Sequence, residues 1–340
     1  MSRRTLTSFL AFGLAAVLVL AGFTVPVPYV LLSGGPTFNT IGEVGGVPVI
    51  TIKGRETFDD TEGRLDLTTV NVDRNLSLWE AMQGWARTDQ AVVPRDLLYP
   101  PGRSDEQVQL ENTAQMVTSQ SSAKTAALLE LGIPVTVTVG DVSQDGPAND
   151  ILEAGDDLVS VDGTPVTSPQ QLRDLIGAVT PGGTVTVVLE RDGEQRTETI
   201  VTQAFPEDPA RPLIGIVPVV TDYPFEIDIS LENVGGPSAG LMFSLGIIDK
   251  LTPGPLADGR YVAGTGELDD QGLVGPIGGI EQKVAEAGKK GVDVFLVPAD
   301  NCAAAVKNAP DEVELVKVAT LSEAYEALQT LAAGGVPVSC

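Results

Sequence analysis

An uncharged, apolar stretch near the N-terminus limits what the first part of this chain can become. No charged residue occurs between positions 5 and 42, and Leu6–Val25 is almost wholly apolar. About 20 apolar residues are enough for a helix that crosses a bilayer. Residues 1–32 are therefore predicted to form a short cytoplasmic tip and a transmembrane helix. A cleaved signal peptide, with its cleavage site at Val19-Leu20-Ala21, is the alternative.

The charges on either side of this stretch predict its orientation. Arg3 and Arg4 precede it, and the sequence that follows is acidic. Positive charge favours the cytoplasmic side of a membrane helix. We therefore expect a single-pass protein of the cell membrane with a cytoplasmic N-terminus. The body of the chain is extracytoplasmic under either alternative.

The chain contains no histidine. This excludes Ser-His-Asp and Cys-His catalytic sites and any metal site built on imidazole. Its two cysteines, Cys302 and Cys340, cannot form an all-thiolate zinc site, so no metal or cofactor is predicted. An enzyme of this composition must use Lys, a carboxylate or Tyr as its general base.

Acidic residues outnumber basic ones by 46 to 21, which gives a net charge of −25. Such a chain lacks the basic patches that nucleic acids require, so no nucleic-acid partner is expected. Outside the cytoplasm, Cys302 and Cys340 could form a disulfide that holds the tail, residues 333–340. The sequence alone leaves that pairing open.

Residues 33–131 form a membrane-proximal α/β region whose role the sequence does not indicate. Strands are predicted at Val47–Lys53 and Leu65–Val72 because β-branched residues are frequent there. Ser77 caps a predicted short helix at Leu78–Arg87, and a long helix is expected from Ser104 to Leu131.

The long helix contains Ser121-Ser122-Ala123-Lys124, which matches the S-x-x-K motif of penicillin-binding enzymes. A four-residue match occurs often by chance, and the partner motifs S-D-N and K-T-G are absent. We therefore interpret this segment as a solvated helix face.

Residues 132–205 alternate short strands with glycine-rich turns. A helix is expected at Gln170–Ile176, with Ser168 as N-cap and Pro169 at its first position. The turn and strand motifs are Gly146-Pro147-Ala148, Gly155-Asp156, Asp162-Gly163, Pro181-Gly182 and Val185–Arg191. Their order resembles a PDZ domain of the bacterial protease kind, a β-rich fold.

PDZ domains bind extended peptides along a sheet edge, often by a terminal carboxylate. The resemblance implies a carboxylate loop of apolar-Gly-apolar type, which we assign to Leu131-Gly132-Ile133. Pro134 follows directly and removes one amide from that edge. A structural spacer or a lid on a neighbouring domain is the alternative role.

The first candidate for chemistry is Ser238. A strand is predicted at Phe225–Leu231, a glycine-rich turn at Asn233–Pro237, and an apolar helix from Ser238 onward. The free amides and partial positive charge at a helix N-terminus can stabilise an oxyanion. Because Pro237 has no amide, the expected donors are Ser238 and either Gly236 or Gly235.

The second candidate is Lys283, one turn into a helix predicted at Ile280–Lys289. Apolar neighbours and the helix N-terminus both disfavour its charged form and lower its pKa. A neutral lysine can take the proton of a serine hydroxyl. A surface lysine is the alternative, which the lysines near the helix end fit better.

Together these segments resemble the proteolytic domain of Lon proteases, over residues 220–332. The matching motifs are Gly236-Pro237-Ser238-Ala239-Gly240, Thr265-Gly266-Glu267 and Pro276-Ile277-Gly278-Gly279 followed by Lys283. The resemblance implies a Ser-Lys dyad of Ser238 and Lys283, with Thr265 orienting the lysine. It also implies the Lon α/β fold, so the whole is expected to be an α/β multidomain protein.

Two departures from Lon proteases are visible. Gly235 stands where many Lon enzymes have an acidic residue, and the sequence has no G-x-x-x-x-G-K-[ST] motif for ATP. The chain thus resembles the membrane-anchored PDZ–Lon-like proteins of Gram-positive bacteria. The resemblance implies an ATP-independent serine endopeptidase that cleaves extracytoplasmic or membrane-associated proteins, with the PDZ-like domain recognising or gating substrate.

Other interpretations stay open at this point. The chain could be a peptide-binding adaptor without catalysis, an enzyme that cleaves only itself, or an esterase or peptidase of short peptides. Lon-type protease domains form rings, so a homo-oligomer is expected by analogy.

Overall fold

The computed structural model describes residues 3–58, 62–231 and 234–340, with side chains from residue 7 onward. The helices are α1 Arg3–Thr24, α2 Leu78–Trp85, α3 Asp105–Glu130, α4 Pro169–Gly177, α5 Gly240–Leu251, α6 Ile280–Lys289, α7 Cys302–Asn308 and α8 Leu321–Ala332. The strands are β1 Tyr29–Asn39, β2 Glu43–Val44, β3 Val47–Pro48, β4 Ile50–Lys53, β5 Arg64–Asp73, β6 Gln90–Pro94, β7 Thr136–Val142, β8 Asp157–Val161, β9 Thr164–Pro165, β10 Thr184–Arg191, β11 Glu194–Val201, β12 Gln203–Phe205, β13 Asp208–Leu213, β14 Ile216–Asp222, β15 Glu226–Ile229, β16 Tyr261–Gly264, β17 Glu267–Leu268, β18 Val274–Gly275, β19 Val294–Pro298 and β20 Glu314–Val318.

Helix α1 coincides with the apolar N-terminal stretch. Its part from Thr7 to Thr24 is long and apolar enough to cross a membrane, and none of that part is buried against the protein. A membrane span and a signal sequence both fit this helix. Apart from its last turn, where Phe23 contacts Trp79, its apolar side chains are exposed, so any cover for them must come from outside the fold.

The larger sheet has the strand order β20-β19-β16-β5-β1-β6. Strands β5, β16, β19 and β20 are mutually parallel, and β1 runs antiparallel to β5 and to β6. Residues 33–131 were expected to form a region apart, yet they supply β5, β6 and most of β1 to this sheet. The physical reason is β16, whose buried backbone needs partners at both edges.

Helices α3 and α5 pack together over this sheet. Every α5 side chain except that of Lys250 is buried, which explains why its sequence is apolar on all sides. Helix α3 begins with a capping box at Ser104 and buries Ala123, Ala127 and Leu128 in the same core. The α3 helix therefore belongs to the structural core of the larger domain.

The second sheet has the order β11-β10-β8-β7-β14, with β9 paired to β8, and its own apolar core. Helix α4 begins as the sequence predicted, since Ser168 Oγ accepts a hydrogen bond from the Gln171 N–H at 3.0 Å. This sheet extends beyond residue 205, because β14 pairs with β7. The strand that closes the sheet thus lies outside the range expected from the sequence.

Cys302 and Cys340 form a disulfide with their Cα atoms 5.2 Å apart. The tail also pairs with the edge of β20, because the Lys317 N–H donates to Val338 O at 2.9 Å. The pairing that the sequence left open is therefore formed, and it fixes the end of the chain to the larger sheet.

Candidate active site

Ser238 lies in the turn that leads into α5. The helix was predicted to start at this residue but starts at Gly240, with Ala239 as N-cap. On the other side, Ser119 of α3 donates its hydroxyl to Pro237 O at 3.1 Å and fixes the turn. Asn233, where the turn was predicted to begin, lies outside the described residues.

Lys283 reaches Ser238 from the first turn of α6. Its Nζ lies 2.8 Å from Ser238 Oγ and 2.8 Å from Thr265 Oγ1. Only 2% of the residue is exposed, and burial lowers the pKa of Lys283 from 10.5 to about 7. Near neutral pH a large fraction of this lysine is therefore the uncharged amine that a general base requires.

Thr265 is fully buried beside the lysine. Its hydroxyl donates to Ser238 O at 3.0 Å, so its oxygen can only accept the hydrogen bond from Lys283. A neutral amine that donates one N–H to Thr265 can direct its lone pair at Ser238 Oγ. The structure thus brings together the three residues that the sequence predicted at the centre of the site.

Gly279 explains how α6 can start so close to β5. It has φ +71°, and a Cβ atom there would lie 2.7 Å from Val70 Cγ2. Only glycine fits this left-handed position and this contact. The close approach brings the first turn of α6, and with it Lys283, against β5.

The two amides expected to donate to an oxyanion, those of Ser238 and Gly236, differ in whether they already have a hydrogen-bond partner. The Gly236 N–H donates to Asn112 O of α3 at 3.0 Å, so this conformation does not offer it to a substrate. The Ser238 N–H has no backbone partner among the described residues. In this conformation the Ser238 N–H is therefore available to an oxyanion, whereas the Gly236 N–H is already occupied.

Asn112 also accounts for the missing acidic residue. A Cβ atom at Gly235 would lie 3.1 Å from Asn112 Cβ. Any other residue at position 235 would require Asn112 to move by a few tenths of an ångström. The packing of α3 against this turn thus favours glycine at the place where many Lon enzymes have a carboxylate.

The dyad opens into a cleft of about 580 Å³. The region of uncertain role lines much of it, with Pro36, Phe38, Leu67, Thr68, Thr69, Val70, Asn71, Val72, Leu98 and Met116, and Leu32 directly before that region lines it too. Strand β16 ends at Gly264, opposite Leu67, so residues 68–72 of β5 continue past it along the cleft. Sequence reasoning predicted the β5 strand but had no signal for its neighbour.

The predicted carboxylate loop lies elsewhere than expected. Leu131 caps α3, Gly132 ends that helix with φ +67°, and both Leu131 and Ile133 pack against the core of the larger domain. The structure therefore does not bring Leu131-Gly132-Ile133 to a peptide groove. The reason is that the α3 end serves as a connection between two packed units.

A second cleft of about 600 Å³ lies between α4 and the segment that leads into β14. Leu213, Ile214, Gly215 and Ile216 line it and form another apolar-Gly-apolar sequence. Arg173 and Arg211 line it too, as does Gln271 from the turn between β17 and β18. The apolar-Gly-apolar pattern is visible in the sequence at Ile214-Gly215-Ile216. It was missed because it follows the other PDZ-like motifs, whereas the loop was sought before them.

The S-x-x-K segment does not form a catalytic pair. Ser121 Oγ lies 3.4 Å from the Tyr223 hydroxyl, and no hydrogen bond joins it to Lys124 within the described residues. The half-buried position of Lys124 lowers its pKa through desolvation. In the described ranges, no group of three or more Cys, Asp or Glu side chains could hold a metal ion.

The chain matches two family models. Residues 108–202 match the PDZ domain, and residues 233–332 match the Lon protease C-terminal proteolytic domain. The first match begins inside α3 and stops before β14, whereas the PDZ sheet itself runs from β7 to β14.

Similar proteins come from both families. Lon protease 2 of Bacillus subtilis is 33% identical over 108 residues, which cover 30% of this chain and 19% of that protein. Lon protease 1 of Sorangium cellulosum is 40% identical over 93 residues, covering 26% of this chain and 11% of that one. A probable periplasmic serine endoprotease, DegP-like, of Halomonas elongata is 28% identical over 178 residues, covering 52% of this chain and 32% of its own.

Among solved structures, the PDZ domain of the SdrC-like protein from Listeria monocytogenes is similar, with 32% identity and a TM-score of 0.23. That likeness covers 24% of this chain and 86% of the PDZ domain. This chain spans less than a third of the length of each of the three relatives. The two resemblances predicted from the sequence are nevertheless confirmed: the chain carries the proteolytic domain of the Lon serine proteases, joined to a PDZ domain.

Proposed function

We propose that this protein is an ATP-independent serine endopeptidase in which Ser238 is the nucleophile and Lys283 the general base. The observation that carries the proposal is the position of Lys283 Nζ, which is almost fully buried and whose hydrogen-bond partners among the described residues are the hydroxyls of Ser238 and Thr265. Among the described residues no carboxylate forms a hydrogen bond or an ion pair with Lys283 Nζ, so burial favours the neutral base.

The chemistry follows from these contacts. Neutral Lys283 takes the Ser238 hydroxyl proton while Ser238 Oγ attacks the peptide carbonyl carbon, and a tetrahedral oxyanion forms. The Lys283 ammonium then gives its proton to the leaving amine, the C–N bond breaks, and an acyl-enzyme remains. Lys283, again neutral, deprotonates a water that attacks the ester and releases the acid and Ser238.

The cleft suits an extended peptide segment. Residues 68–72 of β5 continue past the end of β16 beside the dyad, so a substrate strand can align with them. Leu32, Phe38 and Val70, which are partly exposed, offer an apolar lining for its side chains. The sequence has no P-loop motif, so the proposal is cleavage of segments that are already accessible, without unfolding driven by ATP.

The same proposal locates the catalytic domain outside the cytoplasm, with α1 as an uncleaved anchor. The apolar helix and the two arginines before it support this orientation. The disulfide between Cys302 and Cys340 is independent support, because disulfides persist mainly in oxidising compartments.

The cleft between α4 and β14 is proposed to bind substrate C-termini. The Ser143 N–H donates to Gly215 O at 2.8 Å, so Ile216 directs its own N–H away from β7 and towards the open edge. Two residues later, Pro218 faces the same way and has no N–H. The groove can therefore pair with the last residues of a peptide, assisted by Arg173 and Arg211 for the carboxylate.

A serine-directed fluorophosphonate probe tests the dyad. The full chain in lipid nanodiscs is treated without ATP, as wild type, Ser238→Ala, Lys283→Ala and the control Lys290→Ala, an exposed lysine at the end of α6. We expect an adduct on Ser238 in wild type and in the control, located by mass spectrometry. Both dyad variants should lose adduct and peptide cleavage by roughly 10³-fold or more.

The alternatives give different results in the same samples. A peptide-binding adaptor leaves Ser238 unmodified at every pH. Self-cleavage alone gives shortened chains of defined mass and no cut in an added protein. Either result contradicts the proposal.

A further inference from the structure

Helix α2 has an apolar face that the protein leaves uncovered. Leu78, Trp79, Met82 and Trp85 follow one another at helical spacing and are 44%, 44%, 45% and 56% exposed. The two tryptophans are the only ones in the chain. An exposed cluster of this size and composition indicates an interaction surface.

This face is held beside the end of the apolar helix α1. The Val27 N–H donates to Leu76 O at 2.9 Å, and Pro26 forms a bridge with Ser77, the N-cap of α2. Two ring contacts join the same elements: Phe23 with Trp79 at 5.4 Å and Tyr29 with Trp85 at 5.7 Å. The helix α2 is thus fixed at the point where the chain leaves α1.

The opposite side of α2 cannot exchange places with the apolar face. Ala81 and Gly84 are buried against the sheet, and a Cβ atom at Gly84 would lie 2.7 Å from both Leu31 Cδ1 and Val92 Cγ2. Rotation of α2 would bring large side chains into this contact. The fold therefore keeps the tryptophans directed outward.

A second apolar turn lies at the same end. The Arg95 N–H donates to Pro28 O at 3.1 Å, and two residues later Leu97 is 72% exposed. Leu98 then lines the catalytic cleft. The mouth of that cleft and the apolar surface are therefore neighbours in space.

We propose that the α2 face, with Leu97, lies in the interface of the membrane that α1 crosses, and that the catalytic cleft is held close above the lipid. Tryptophan and tyrosine favour the headgroup region, where an amphipathic helix can bury its apolar side. This inference rests on the anchoring part of the proposed function. The partner is the lipid surface, since the exposed face continues directly from the apolar helix.

The connection sets an upper limit on the height of the cleft. Leu32 lines the cleft and lies eight residues after Thr24, the last residue of α1. An extended chain spans at most about 3.6 Å per residue, so Leu32 lies within roughly 29 Å of the end of α1. The substrates are therefore juxtamembrane segments of proteins in the same membrane.

Depth-dependent quenching of tryptophan fluorescence tests the surface. The full chain is placed in phosphatidylcholine nanodiscs whose acyl chains carry bromine either near the glycerol or near the methyl end. We expect strong quenching by the shallow bromines and little by the deep ones. Leu78→Gln combined with Met82→Gln should weaken the quenching, whereas the control Leu110→Gln, on an exposed part of α3, should not.

Unquenched emission in both lipids, with α1 intact by mass, overturns the inference. Emission that is blue-shifted but unquenched does so as well, because a protein partner or a second copy then covers the face. A mass that begins after Ala21 shows that the anchor itself is lost. Reaction of Ser238 with the fluorophosphonate probe in the same sample separates each result from a failure of the proposed catalysis.

A tethered reporter tests the substrate class. A single-pass membrane protein carries one cleavable segment either next to its membrane helix or after a long rigid spacer. We expect the near segment to be cut faster in the same nanodisc, and equal cleavage when both reporters are cut free of the lipid. Equal rates for the two tethered reporters would contradict the proposal.

Discussion

The two clefts of this molecule are nearly equal in volume, about 580 Å³ and about 600 Å³, but are built in different ways. The candidate active-site cleft is built around three polar side chains, Ser238, Thr265 and Lys283, and each forms a hydrogen bond with another of these three residues. The groove beside α4 depends on a strand edge, one glycine and two arginines at its rim.

This difference determines which kind of substitution each site can tolerate. A buried lysine has no water to replace a lost partner, so small shifts in the dyad change its proton affinity. A groove of backbone and apolar side chains tolerates side-chain changes but depends on the path of its main chain. The two sites should therefore respond to opposite kinds of substitution.

The largest expected effect comes from Lys283→Met, which keeps the length of the side chain and removes its titration. Activity should fall by roughly 10³-fold or more, because no other base contacts Ser238 within the described residues. Stability should rise at the same time. Burial lowers the pKa of Lys283 to about 7, so between this value and 10.5 the unfolded chain binds more protons than the folded one.

The lowered pKa of Lys283 also determines how the stability of the protein changes with pH. Wild-type stability increases as pH rises from about 7 to 10.5, and the penalty is complete below the lower value, on the order of 5 kcal/mol. Thermal unfolding of both proteins at several pH values should show a Tm advantage of the variant that shrinks towards alkaline pH. A variant less stable than wild type at pH 7 would show that Lys283 supports the fold.

Sequence reasoning reached the catalytic side chains for a physical reason. Acid–base chemistry requires particular residue types, and with no histidine the choices were few. Ser238 and Lys283 each stood at a glycine-rich entry to a helix, a local pattern that can be read from neighbouring residues. The fold of each domain was expected instead from the resemblance of its ordered motifs to PDZ domains and to the proteolytic domain of Lon proteases.

The parts that escaped prediction depend on contacts distant in sequence. That β5 borders β16 cannot be read from either strand, since nothing in the sequence of Arg64–Asp73 or of Tyr261–Gly264 specifies which strand will lie beside it. The Gly236 amide was expected to be free, but Asn112, more than a hundred residues earlier, accepts its hydrogen bond. The groove loop was missed because β14 follows the unit whose sheet it completes.

A smaller effect is expected from Thr265→Val, which sharpens the comparison because it leaves both members of the dyad in place. Valine has nearly the same shape but cannot accept the hydrogen bond from Lys283 or donate to Ser238 O. The lysine lone pair then loses its orientation, and activity should fall by roughly 10–100-fold, as for other orienting partners.

Thr265→Ser is the matched control, since it keeps the hydroxyl. It should retain most activity, and its rate should rise with pH through about 7 as the wild type does, because only neutral Lys283 is a base. A valine variant as active as the serine variant would mean that Lys283 needs no orienting partner.

The smallest expected effect concerns the groove, and it tests whether main-chain path alone controls binding there. Gly215 has φ +80°, and a Cβ atom at this position would lie 2.7 Å from Gly146 Cα. Gly215→Ala must therefore move the loop that presents the Ile216 amide. We expect the affinity for peptides with a free C-terminus to fall by roughly tenfold, or about 1.4 kcal/mol. Cleavage of a short peptide by Ser238 should be unchanged.

Gly182→Ala provides the control, since it has a similar φ of +86° in the same domain but no atom within 4 Å of the added Cβ. It carries the same backbone strain without the clash, so it should lower stability and spare affinity. Equal losses of affinity in the two variants would mean that domain stability controls binding, and the contrast between the two clefts would then fail.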